Sequence, residues 1–200
     1  MDLSSWLSLL NVLVLLFSLY HLITVITIKK SSFLILLSSA LLTYLISNVV
    51  YLIDDSLIIA IRFLNTASLV CILSALFNLI RKSKPIFARF PAILGYLPFV
   101  ILLFIPLVLD QSVIYNLILG TFQGGALLVS ILIFSINQKN QKNYFLLIIG
   151  TFVCLISFTF FWMIPLTDDK ITVITELLLI TGVLIISLGT KQSQISKPNV

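Results

Sequence analysis

Two hundred residues, 60% of them apolar, with a mean hydropathy of +1.21 and only 10% charged, leave little room for anything outside a lipid bilayer. That composition excludes a soluble catalytic or nucleic-acid-binding domain. The formal charge of +5 is spread over short connections, where it reads as membrane topology and contact with anionic headgroups.

Seven apolar stretches follow one another: Trp6–Ile28, Phe33–Ile53, Leu57–Ile80, Pro91–Leu109, Ser112–Ile136, Tyr144–Leu166 and Ile171–Thr190. Each is close to the roughly 20 residues a spanning helix requires, and all are too long for strands. In lipid, only helices or closed barrels satisfy the backbone. The first stretch lacks a basic start and runs too long for a cleavable signal, so it reads as a retained helix. Asp55-Ser56 and Asp168-Asp169 suit helix N-caps, and Pro98 and Pro106 should bend the fourth helix. The expected fold is an all-α membrane protein, with one seven-helix transmembrane domain over residues 1–190 and a short cytoplasmic tail at 191–200.

The charges between the stretches largely alternate in sign, six of the seven acidic and ten of the twelve basic residues following the pattern. Asp2, Asp54, Asp55, Asp110, Asp168 and Asp169 fall in one set of connections. Lys29, Lys30, Arg81, Lys82, Lys84, Arg89, Lys139, Lys142, Lys191 and Lys197 fall in the other. Cytoplasmic loops hold the excess of Lys and Arg, which predicts an N-terminus outside and a C-terminus inside.

An internal duplication is suggested by two echoes. Leu45-Ile46-Ser47 followed by Asp54-Asp55 resembles Leu155-Ile156-Ser157 followed by Asp168-Asp169. Eight residues beyond Asp54 stands Arg62, and eight beyond Asp168 stands Glu176. These are the two charged residues inside the predicted spans. A three-plus-one-plus-three plan would make helices one to three and five to seven parallel repeats.

At 1.5 Å per residue, Arg62 and Glu176 lie at a common depth roughly 8 Å below the outer boundary. A charge at a helix centre costs about 2.5–3.5 kcal/mol on insertion scales, so both should face the interior, as a structural ion pair or as a ligand site. Asn11, Asn48, Tyr51, Asn65, Asn116 and Trp162 fall at a similar depth. Arg62 and Asn65 share a helix face at i, i+3, as do Asn48 and Tyr51. Gly120 and Gly124 form a close-packing GxxxG pattern, and Gly182 and Gly189 stand one heptad apart. Such a layer could line an outward-facing pocket for a small polar or zwitterionic ligand.

Other chemistry finds no support. His21 is solitary, and Cys71 and Cys154 lie inside predicted helices, without a disulfide framework. There is no HExxH, no GxSxG and no lysine inside the seventh helix, so no metal, cofactor or catalytic centre is expected. The outer aspartates could hold a divalent cation, but capping explains them more simply.

Asn48-Val49-Val50-Tyr51-Leu52, a short polar turn, and Arg62-Phe63-Leu64-Asn65 resemble part of the seven-transmembrane sensor region at the N-terminus of bacterial histidine kinases. The likeness covers Ala40–Cys71; the sixth and seventh helices share only hydropathy. It implies a bacterial plasma membrane and signal sensing. The sequence ends ten residues after the seventh helix without an output domain, so a separate cytoplasmic signalling partner would be needed. The expected function is therefore a non-enzymatic sensory or accessory membrane subunit. The alternatives are a small three-plus-one-plus-three solute transporter and, third, an intramembrane enzyme.

Overall fold

The computed structural model describes residues 3–28, 30–54, 56–83, 88–140, 144–163 and 169–195. Among them the chain is helical, without strands. The helices are α1 (Leu3–Ile28), α2 (Ser32–Ile53), α3 (Ile58–Ser83), α4 (Ala92–Leu107), α5 (Ser112–Asn140), α6 (Phe145–Met163) and α7 (Asp169–Ile195). Six contain a stretch long and apolar enough to cross a membrane: Trp6–Ile28, Ser32–Ile53, Ile58–Arg81, Ser112–Gln138, Phe145–Trp162 and Val173–Thr190. These match the expected spans to within a few residues at most ends.

The fourth segment is not the ordinary α-helix expected over Pro91–Leu109. It runs as a 3-10 helix over Ala92–Val100, a single α-turn at Ile101–Phe104, and a further 3-10 turn at Ile105–Leu107. Pro98 lies inside the first part and Pro106 opens the last, and each removes a backbone N–H that an α-helix would use. The 3-10 form also stretches the segment. With about 2.0 Å rise per 3-10 residue and 1.5 Å per α residue, α4 is roughly 30 Å long.

At the turn after α2, the Asp54 carboxylate accepts the Ser56 N–H at 2.9 Å. The Ser56 hydroxyl and this N–H hold the exposed Asp54 carboxyl below its usual range. A depressed carboxyl steadies the turn at neutral pH, and that contribution is lost as pH falls through the lowered value. The expected caps at Asp55 and Asp168 lie outside the described residues.

The chain divides into two compact units. The middle unit, Lys30–Ala126, contains α2, α3, α4 and the first half of α5. Its α2–α3 hairpin closes on small side chains. Ser47 Oγ donates to the Ile61 carbonyl at 3.4 Å, and Ser68 Oγ donates to the carbonyl of fully buried Ala40 at 2.8 Å. The α3–α4 contact is polar where the end of α3 meets the start of α4. Buried Asn78 donates to the carbonyls of Ser74 and Gly95, and Arg81 Nε donates to the Phe90 carbonyl at 3.0 Å. The Gly95 carbonyl needs an outside donor because its 3-10 partner would be the N–H of residue 98, which is proline. Glycine at 95 makes room for the Asn78 amide, since a Cβ there would stand 2.7 Å from Asn78 Nδ2.

The terminal unit, Met1–Lys29 with Leu127–Val200, contains α1, the second half of α5, α6 and α7. Here α6 and α7 meet backbone to backbone. A Cβ at Gly150 would lie 2.9 Å from the Gly182 carbonyl, and one at Gly182 would lie 3.0 Å from the Gly150 carbonyl. Close approach through small residues lets dispersion hold helices together where lipid removes the hydrophobic drive. Ser157 Oγ donates to the Thr175 carbonyl at 2.7 Å, and Ser187 Oγ to the Ser18 carbonyl at 3.4 Å.

The two hairpins share a register. The serines of the two echoed motifs, Ser47 and Ser157, each donate to a carbonyl seven residues beyond Asp54 or Asp168. One heptad away on each helix, Ala40 meets Ser68 and Gly150 meets Gly182. Arg62 and Glu176 each directly follow the accepting residue.

Candidate functional site

The middle unit builds a polar cluster around Arg62, which is half-buried on α3 near the start of its Ile58–Arg81 span. The guanidinium Nη1 donates to the Leu109 carbonyl just beyond α4, and the group lies over the Tyr115 ring, 5.2 Å from its centroid. The carbonyl of Arg62 accepts from Tyr115 Oη at 3.0 Å and from Thr66 Oγ1 at 2.9 Å. The cation is thus met by a carbonyl dipole and an aromatic face, and no carboxylate pairs with it among the described residues. A guanidinium carries five N–H donors, so this arrangement leaves donors for an incoming carboxylate or phosphate oxygen. One turn along the same face, Asn65 Oδ1 is buried and without a partner. That oxygen is an acceptor waiting for a donor.

Toward the interior of the unit lies a narrow apolar cleft lined by Thr66, Leu69, Leu73, Ile101, Ile105, Tyr115, Ile118 and Phe122. At about 10 Å³ it has room for roughly one water molecule, so it is a packing defect rather than a ligand chamber.

The remaining expected site residues are spread between the units. Asn48 is half-buried on α2 and donates to the Tyr44 carbonyl of its own helix at 2.8 Å. Tyr51 is 50% exposed, and Asn116 on α5 is also exposed. In the terminal unit, Asn11 is half-buried on α1, and Trp162 is 40% exposed among the rings of Phe158 and Phe161. Glu176 is half-buried on α7. Exposed Tyr51 and Trp162 suit an interfacial aromatic belt better than a pocket lining. His21 has a buried Nδ1 without a partner and lies edge-on to Phe17 and Tyr20. Among the described residues, no group of three or more His, Cys, Asp or Glu is placed to hold a metal ion.

Sequence reasoning missed Tyr115, Thr66 and Asn78. Thr66 was available from the i, i+4 rule applied to Arg62. Tyr115 adjoins Asn116, but one residue along a helix is about a 100° turn: Tyr115 is 4% exposed whereas Asn116 faces outward. No family model, curated protein or solved structure matches this chain.

Proposed function

We propose that this is a seven-helix plasma-membrane protein, N-terminus outside and C-terminus cytoplasmic, that detects a small polar ligand carrying an anionic group at the outer cluster around Arg62. It acts without catalysis of its own, as a sensory or accessory subunit to a separate cytoplasmic partner. The carrying observation is a charged side chain within a membrane-length helix that no carboxylate among the described residues neutralises and that keeps donors to spare, beside the open acceptor of Asn65. Intramembrane charges of this kind are functional by default. Support for a seventh crossing comes from α4, whose stretched form reaches about the 30 Å thickness of the hydrocarbon core.

A second reading, a small three-plus-one-plus-three transporter, is favoured by the register shared between the α2–α3 and α6–α7 hairpins, as in parallel-repeat transporters. Two experiments separate them. A sensor subunit co-purifies with a kinase or cyclase from native membranes and moves no solute in proteoliposomes; a transporter does the reverse.

The topology is tested by fusions. A reporter active only in the cytoplasm is expected to work after Val200 and to fail at Asp54 or Gln111. The same result at Arg89 and at Gln111 would mean that α4 does not cross, and activity at Gln111 with silence at Arg89 would reverse the orientation.

A further inference from the structure

We propose that Glu176 is a cation-binding carboxyl, at which a small monovalent cation, inorganic or ammonium, competes with a proton. Glu176 is the sole acidic residue within the six membrane-length stretches. Its carboxyl is half-buried and forms no hydrogen bond or ion pair among the described residues. The backbone beside it is fixed, because the carbonyl of neighbouring Thr175, itself 4% exposed, is held by Ser157 Oγ at 2.7 Å. The side chain therefore projects from an anchored turn.

The sister hairpin supplies the second observation. Arg62 stands in the same register relative to Ser47 as Glu176 does to Ser157, and there the protein provides the charge with a carbonyl and an aromatic face. Glu176 receives no counterpart from the described residues. An unpartnered carboxylate at the edge of a bilayer is costly, so a bound counter-ion completes the arrangement. One carboxylate matches one positive charge. A divalent ion takes six to eight oxygens and typically several carboxylates, which the described residues do not assemble here.

The titratable groups on the elements packed against α7 are Cys154 on α6, and Tyr20 and His21 on α1. Cys154 sits at the level of Gly182, and His21 lies beyond the Ser18–Ser187 contact. Both levels are about 9 Å or more farther along α7 than Glu176, at 1.5 Å per residue.

The chain has a single glutamate, which makes the test selective. Full-length protein in lipid bilayers is treated with the apolar reagent dicyclohexylcarbodiimide, which modifies protonated carboxyls from the lipid phase, and Glu176 is read by peptide mass; Glu176→Gln is the blank. At a cation concentration about ten times its Kd, labelling should fall about tenfold. Because an amine can displace dicyclohexylurea from the activated carboxyl, the methylamide or glucamide of Glu176 is counted as labelled together with the acylurea. On that count protection by sodium chloride identifies an inorganic cation and protection by methylammonium chloride an amine, while the bulky N-methylglucamine chloride at equal ionic strength should not protect. Absence of labelling from mildly acidic to neutral pH, or labelling that neither small cation suppresses, overturns the proposal. So does increased labelling in Arg62→Leu, which would make Arg62 the partner of Glu176. An unchanged result in Arg62→Leu leaves the Glu176 site standing, whatever becomes of the Arg62 site.

Discussion

Alanine at Gly150 is expected to force α6 and α7 apart and to lower the thermal midpoint of the full-length protein. The new Cβ would lie 2.9 Å from both the Gly182 carbonyl oxygen and the Ile186 N. Those are backbone atoms, so no rotamer change relieves the contact and the whole hairpin must adjust. Overpacking of this kind typically costs about 1–3 kcal/mol, and Gly150→Leu should cost more. The control is Gly125→Ala, where nothing lies within 4 Å of the added Cβ. There the helix propensity of alanine should dominate, a gain of about 0.5–1 kcal/mol. Equal midpoints for Gly150→Ala and Gly125→Ala, measured by thermal unfolding in detergent, would contradict the close α6–α7 contact.

Gly95→Ala should be nearly as damaging, by a different route. Its Cβ would stand 2.7 Å from Asn78 Nδ2 and 2.9 Å from Asn78 Oδ1, so the amide must leave its place. The Gly95 carbonyl then loses its outside donor in apolar surroundings, at about 1–3 kcal/mol, while Asn78 keeps its bond to the Ser74 carbonyl only if the amide can stay within reach of it. Asn78→Leu alone should also cost about 1–3 kcal/mol, because Pro98 leaves Gly95 without an internal donor. If the two residues act through this one contact, the double variant Asn78→Ala, Gly95→Ala should fall short of the sum of the single losses. Strict additivity would show that Asn78 does not serve Gly95.

The helix positions were legible because the length of an apolar run is a direct requirement of the bilayer. Trp6–Ile28 and Ser112–Gln138 could be placed without knowing any neighbour. Which face of each helix turns inward was not legible, since helices apolar all round carry no amphipathic stripe. Hence Asn116 and Tyr51 were grouped with Arg62 by depth, although both are exposed. A departure from regular α-helix in α4 was legible in Pro98 and Pro106, but its 3-10 path was not, because that depends on donors which α3 supplies from Asn78 and Arg81. Arg62 stood out as an intramembrane charge. Its partner did not, for the Leu109 carbonyl is backbone and has no residue-type signature.

The most direct test of the outer site uses Asn65→Cys in the full-length protein, where native Cys71 and Cys154 are buried and should form a silent background. Membrane-impermeant thiosulfonate reagents are added from outside, one anionic and one cationic, and their rates are compared with those for a free thiol. A hydrated site governed by Arg62 predicts reaction with both reagents, a relative rate several-fold higher for the anionic one, and loss of that preference in Arg62→Leu. A thiol at position 65 that stays unreactive from outside in folded protein would mean that the cluster is dry packing, and would contradict a ligand site at Arg62.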